Sequence, residues 1–264
     1  MMRALFTAST GMHAQQLNTD TLAHNMANVN TIGFKKQRIE FQDLLYQTIR
    51  RPAADENRNE PVGLAVGLGV RPAAINTLFA QGNLQNTENP LDVALGGSGV
   101  GFFAIQVPGY EEPLYTRDGA IKVDASGQLV TSDGYLYLGP EALEENYTDI
   151  SIAADGTVSY ILPGSTTPQP AGEPLQIFKF SNPAGLQKIG KNLYQATDNS
   201  GEPVQWEPDS DSTISLHSGY LEMSNVQVVE EMVNLITAQR AYEFNSKLIQ
   251  ASDEMLQTAA NLRR

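Results

Sequence analysis

Three histidines, His13, His24 and His217, are the only imidazoles available for metal binding or general-base work. His13 and His24 would share one face of a helix, but three turns hold them ~16 Å apart, too far to share an ion within one chain. The glycine cluster at residues 96–101 (Gly-Gly-Ser-Gly-Val-Gly) has the composition of a phosphate cradle. A dinucleotide fingerprint needs a strand before it and a helix after it, and here the β-prone run 102–107 follows, so a tight turn or bulge entering a strand is expected. Asp118, Asp124, Asp133 and Asp155 lie beside or near turn glycines, where an Asp side chain closes its own turn. Residues 124–127 lack the ligand positions of a calcium loop. There is no cysteine, no Gly-Lys-Ser/Thr triplet, no His-Glu-x-x-His and no nucleophile elbow. The expectation is a non-enzymatic protein without catalytic, cofactor or metal residues.

The elements around these residues are made of two materials. All 14 prolines lie between Pro52 and Pro208, and residues 220–264 contain neither Pro nor Gly. Proline removes a backbone donor and clashes with the preceding turn, so the ends can be helical and the middle cannot. From Met1 to Phe34 only Arg3 and Asp20 are charged, and apolar residues recur at helical spacing through Leu5, Met12, Leu22 and Met26. Packing against other subunits would explain so little charge; an ordinary helix with a polar, uncharged outer face fits the composition equally. Near the C-terminus Val228, Leu235, Tyr242, Ile249 and Leu256 repeat every seven residues, with Leu248, Met255 and Leu262 in a second line. Sustained heptads mark a helix that packs lengthwise on another. Ser224 or Asn225 would cap it, and Glu230 and Glu231 would meet the positive end of its dipole. Between the ends, Asp-Gly and Ser-Gly pairs separate short β-prone runs, as in an antiparallel all-β domain. Residues 50–72 fit neither helix nor clean sheet and read as an extended arm.

The fold class expected is therefore α+β: long N- and C-terminal helices pairing as a coiled coil, a central antiparallel β domain and an extended connector. The boundaries are 1–30 and 225–264 for the helical part, 31–74 for the connector and 75–224 for the β domain. At 264 residues about two domains are expected. A net charge of −13 argues against nucleic acid and anionic lipid as partners, and no apolar run is long enough for a membrane span. The N-terminus begins like a signal peptide, but Thr, Ser and Gly interrupt its apolar run. A cytoplasmic home and a dedicated export route that leaves the N-terminus intact both fit.

The densest constellation closes the first helix: Asn25, Ala27, Asn28, Thr31, Gly33, Phe34 and Lys35. Asn tolerates a left-handed backbone, Gly33 permits a sharp turn and Phe34 can anchor the outgoing chain. The order Asn-x-Ala-Asn-x-x-Thr-x-Gly-Phe-Lys at 25–35 resembles the N-terminal signature of the bacterial flagellar rod and hook family. Asp92-Val93-Ala94 with residues 97–103, Tyr115-Thr116-Arg117-Asp118-Gly119, residues 219–226 and residues 238–243 are similar to further family motifs, although Val100-Gly101 looks like an insertion. Residues 43–50 and 67–72 resemble the family's distal-rod branch. The resemblance implies a structural subunit that polymerises helically into the rigid drive shaft transmitting torque to the hook and enclosing the export channel. It also implies its partners: other copies of the chain, proximal rod subunits, hook subunits, the surrounding P- and L-ring proteins, the rod cap and the flagellar type III export apparatus. The place implied is the basal body, with the rod crossing the periplasm and export without a cleaved signal. The alternatives are a proximal-type rod subunit of the same family and an oligomeric glycan-binding β module on a helical stalk.

Overall fold

The computed structural model describes residues 2–51, 53–55, 58–60, 62–143, 147, 149–164, 167–208, 210 and 212–261. Helices stand at both ends and antiparallel sheet between them, an α+β chain. Two compact units divide it, the first formed by Met1–Ala27, Gln37–Asn76 and Gln227–Arg264, the second by Asn28–Lys36 and Thr77–Val226.

The first unit contains the two long helices, α1 (Met2–Ala27) and α2 (Val228–Asn261), packed along each other. They run antiparallel: Gly11 faces Asn245, and further along α1 Asn25 meets Glu231, correspondingly further back along α2. Small residues make the close approach. Ala8 and Ala14 are buried on α1, Ala238 and Ser252 on α2, and a methyl group at Gly11 would sit 2.9 Å from Asn245 Nδ2. Between the helices in sequence lies a nested ribbon: β1 (Gln37–Asp43) pairs β6 (Val70–Thr77), β2 (Tyr46–Arg50) pairs β5 (Leu64–Gly67), and β3 (Ala53–Asp55) pairs β4 (Arg58–Glu60). The stretch read as neither helix nor clean sheet is thus a two-stranded hairpin. Each ladder is short, and all of β2 is exposed, so neither face leaves the period-two apolar trace of a half-buried strand. Between the first two ladders Leu44 donates its N–H to Gly69 O at 2.9 Å, and at Gly69 (φ +122°) the Thr10 hydroxyl of α1 fills the space a Cβ would need.

In the second unit the central strand, Gly101–Gln106, is buried along both faces. Alternate side chains diverge. Phe103 and Ile105 enter a large aliphatic core with Val93, Leu114, Ile177 and Trp206, while Phe102 and Ala104 enter a smaller aromatic one with Tyr115, Phe180 and Tyr194. In the aromatic core the rings meet edge to face, Tyr115 and Phe180 with centroids 4.8 Å apart. The central strand pairs Leu114–Thr116 on one side, with Leu114 opposite Ile105, and both Leu136–Tyr137 and Ile177–Lys179 on the other. A three-stranded sheet follows at Asp149–Ile152, Val158–Ile161 and Gln169–Pro170. Two more pairs draw late residues back onto early ones: Ile214–Ser218 on Val93–Gly97, and Tyr220–Glu222 on Leu84–Asn86.

The second helix begins at Val228, not directly behind a Ser224 or Asn225 cap. Ser224 Oγ accepts the Val226 N–H, and the Asn225 amide is engaged elsewhere in its own unit. The glycine cluster is a turn into a strand. A Cβ at Gly97 (φ +105°) would lie 2.3 Å from Thr213 O, so the backbone of residue 213 occupies the space a side chain would need.

Candidate functional site

In the second unit, residues 28–36 carry the chain away from α1. The Thr31 N–H donates to Asn28 O at 3.2 Å and the Thr31 hydroxyl to Asn28 Oδ1 at 3.1 Å, closing a tight turn. Gly33 takes φ +68°, and a Cβ there would lie 2.8 Å from the backbone of Arg117, so both conformation and space demand glycine. Its N–H donates to Glu222 O at 2.8 Å, and Phe34 is buried.

Lys35 follows, wholly enclosed. Its ammonium donates to Glu222 Oε1 at 2.6 Å and to Ala80 O at 2.9 Å, and the same carboxylate oxygen accepts the Gly82 N–H at 2.9 Å. Arg117 approaches the other oxygen, Nη1 to Glu222 Oε2 at 3.5 Å, with its guanidinium 5.7 Å from the centre of the Phe102 ring. The side chains of all three are at most 2% exposed. Burial, then the charge of Arg117, pull the Lys35 ammonium down to about 8 against the opposing pull of Glu222. Beside this cluster Asn225 spans the entering and leaving chain: Oδ1 accepts the Lys36 N–H at 2.7 Å, and Nδ2 donates to Leu78 O and Ala80 O.

The first unit has its own buried polar centre. Asn25, fully enclosed in the last turns of α1, bonds the backbone of Gln37 twice, accepting its N–H at 2.9 Å and donating to its carbonyl at 2.8 Å. A third bond, Nδ2 to Glu231 Oε2 at 3.1 Å, reaches α2. Glu231, in the first turn of α2, is buried against α1.

The residues named from sequence for the helix seam fall into two groups. Leu22 is buried, and Leu5, Met12, Met26, Leu235, Ile249 and Leu256 are half-buried. Val228, Tyr242, Leu248 and Met255 are exposed in this chain, and Leu262 lies outside the described residues. Facing α1 instead is another heptad line, Glu231, Ala238, Asn245 and Ser252, whose small and polar members give no apolar signal. Within the signature turn, Asn25, Gly33, Phe34 and Lys35 are buried, Asn28 and Thr31 are half-buried, and Ala27 is exposed.

The candidates for chemistry are dispersed. His13 and His24 are exposed on α1, and His217 sits in a strand with its Nε2 3.1 Å from Ser215 Oγ. Asp118 and Asp155 accept the N–H two residues ahead, and Asp124 accepts the Ser126 hydroxyl. Asp133 pairs with Lys191 at 3.7 Å. Among the described residues no group of three His, Cys, Asp or Glu side chains is arranged to hold a metal ion, and no helix is long and apolar enough to cross a membrane.

Sequence reasoning singled out Lys35 but not its partners. Glu222 was visible as the lone carboxylate of the motif at 219–226, and Arg117 as the lone cation of 114–121; their pairing needs the strand order, which spacing does not encode.

These centres fall within segments shared with known proteins. The family described as Flagella basal body rod protein matches residues 5–35, which hold Asn25 and Lys35. The Flagellar hook protein FlgE/F/G D1 domain matches 98–160, which holds Arg117, and Flagellar basal body rod FlgEFG protein C-terminal matches 217–262, which holds Glu222, Asn225 and Glu231. The chain is similar to the flagellar basal-body rod protein FlgG of Borreliella burgdorferi, 48% identical over 268 residues and covering 100% of both chains. It is 44% identical to that of Buchnera aphidicola subsp. Acyrthosiphon pisum over 99% of this chain and 100% of the relative. For that of Bacillus subtilis the identity is 38%, over 100% of both. Matching these relatives from end to end, the chain belongs to the flagellar basal-body rod protein FlgG family.

Proposed function

We propose that this chain polymerises with copies of itself into the distal part of the flagellar rod, the shaft that carries torque to the hook and encloses the export channel. The observation that carries this reading is an apolar stripe on α2. Val229, Met232, Val233 and Ile236 follow the i, i+3, i+4, i+7 spacing of one helix face and are 77%, 50%, 55% and 56% exposed. A face of this kind needs covering, and neighbouring copies cover it in a polymer.

In this reading residues 1–30 and 225–264 are the polymerising part, supercoiled as a coiled coil in the assembled rod; 31–74 is the connector and 75–224 the outer β domain. The ribbon bridges neighbouring subunits through its exposed apolar side chains, Leu45, Tyr46, Ile49 and Leu64 among them, and limits bending. Proximal rod and hook subunits adjoin the polymer at its ends, ring proteins surround it, and the rod cap and export apparatus deliver it across the periplasm without a cleaved signal. The helices order only on assembly, because in free monomer they have too few partners to offset their conformational entropy.

Electron microscopy of the concentrated full-length protein tests the reading. Tubes or filaments are the expected result, and discrete small oligomers at every concentration would overturn it. Hydrogen exchange on the dilute monomer checks the ordering step: strong protection throughout both termini would contradict it.

A further inference from the structure

Lys35, Arg117 and Glu222 bring two cations to one carboxylate, with all three side chains sealed from water. One positive charge is therefore left over in a low-dielectric site, where an uncompensated charge is strongly disfavoured. Arginine cannot release a proton at accessible pH, but a lysine can. The remaining ionisable neighbours do not balance the excess. Tyr194, from strand Leu193–Gln195, is held protonated and neutral, pushed up to about 12 by burial. Lys188, from strand Gln187–Gly190, adds a further cation 5.7 Å from the Phe34 ring and 5.9 Å from the Tyr194 ring.

We propose that this cluster is a proton-releasing latch: seating the 28–36 loop in its unit expels a proton from Lys35 to solvent in mildly alkaline solution, so the loop is held more firmly as pH rises. Once neutral, Lys35 still donates to Glu222 Oε1 and Ala80 O, and the site holds the balanced pair Arg117–Glu222. The hydrogen bonds survive and the charge excess goes. Because Gly33 N–H donates to Glu222 O two residues before Lys35, its exchange reports whether the loop is seated. The latch concerns the hold on one loop and is independent of polymerisation.

The test is hydrogen exchange at the Gly33 amide in the full-length protein, corrected for the intrinsic pH dependence of exchange, together with an NMR titration of the Lys35 amine. For a seated value of about 8 against 10.5 in the open loop, protection should rise about tenfold between pH 7 and pH 9. In Lys35→Met and in Lys35→Arg, which keeps the charge but cannot release it, the rise should vanish, even if one of them folds poorly. An amine that titrates near 10.5, or a tenfold rise persisting in either variant, would overturn the proposal; persistence would point to Lys188.

Discussion

Lys35 Nζ lies 2.6 Å from Glu222 Oε1, joining residues 187 positions apart in sequence and sealed from solvent on all sides. The bond ties the segment leaving the first helix to the strand that precedes the second. It belongs to the β unit, so its loss should register in that unit's unfolding.

Removing the carboxylate should be worse than removing the lysine. Glu222→Gln leaves Lys35 and Arg117 facing a neutral amide, and a broken buried pair costs about 3–5 kcal/mol. Lys35→Met instead leaves Arg117 and Glu222 as a balanced buried pair and should cost less than half of that. Urea midpoints for the two variants check it; equal losses would show that the carboxylate does not serve both cations.

Gly33 separates conformational strain from lack of space. Gly134 also has a left-handed backbone (φ +85°), but a Cβ there meets nothing within 4 Å, whereas at Gly33 it meets the Arg117 backbone at 2.8 Å. Gly134→Ala should cost about 1 kcal/mol, the strain alone, and Gly33→Ala roughly 3 kcal/mol or more, since main chain must also move. Thermal unfolding of the two variants side by side decides it; equal losses would remove the steric part of the argument.

How much of this was legible in the sequence follows from where each signal lives. The helices show through absence, since proline is missing from both and glycine from the second, where the backbone must be continuous. The signature turn shows because Asn28, Gly33 and Phe34 are local solutions to a local problem. The ribbon was unreadable as sheet because its ladders are short and both faces of β2 are open to solvent. The line of α2 that faces α1 was hidden for a different reason: its members are Glu231, Ala238, Asn245 and Ser252, and close helix approach selects small or bonded polar side chains there rather than large apolar ones. The pairing of Glu222 with Lys35 was not legible, because antiparallel pairing of Tyr220–Glu222 with Leu84–Asn86 delivers the carboxylate from far along the chain.

Alkaline pH should weaken the β unit through its tyrosines. Burial, and for Tyr115 also the nearby Glu112, push Tyr115 and Tyr194 from 10.0 up to about 12. Folded chains therefore keep these protons where unfolded chains release them. The resulting stability is complete below pH 10 and is lost between pH 10 and 12. Urea midpoints measured from pH 10.5 to 12, above the range in which seating the Lys35 loop gains from rising pH, should fall, and Tyr194→Phe should flatten the fall; an unchanged slope in that variant would remove Tyr194 from the account.

Asn25 tests the order of events. Asn25→Ala strips partners from both backbone groups of Gln37 and from Glu231 Oε2, so a preformed first unit should lose about 2–4 kcal/mol. If the helices order only during assembly, the same change should leave monomer unfolding untouched and raise the concentration needed for polymerisation several-fold. Calorimetry of dilute monomer beside a sedimentation assay of polymer separates the two; a monomer destabilised by the full amount would mean that the helices are already formed.

The α2 stripe offers the cleanest separation of folding from assembly. Val233 and Ile236 are more than half exposed, so Val233→Asp or Ile236→Asp removes little that the monomer buries. Exposed substitutions of this kind stay within about 0.5 kcal/mol for the folded chain. In a polymer the same carboxylates would be buried without partners, at a cost of several kcal/mol per subunit repeated at every contact. The expected outcome is a monomer with unaltered unfolding that forms no tubes at concentrations where the parent does. Ser246→Asp, on a half-buried position away from the stripe, adds an equal charge and should not reproduce the defect. If all three variants assembled alike, this face of α2 would lie outside the subunit interface, and the contacts would have to be sought on Phe244, Leu248 and Met255.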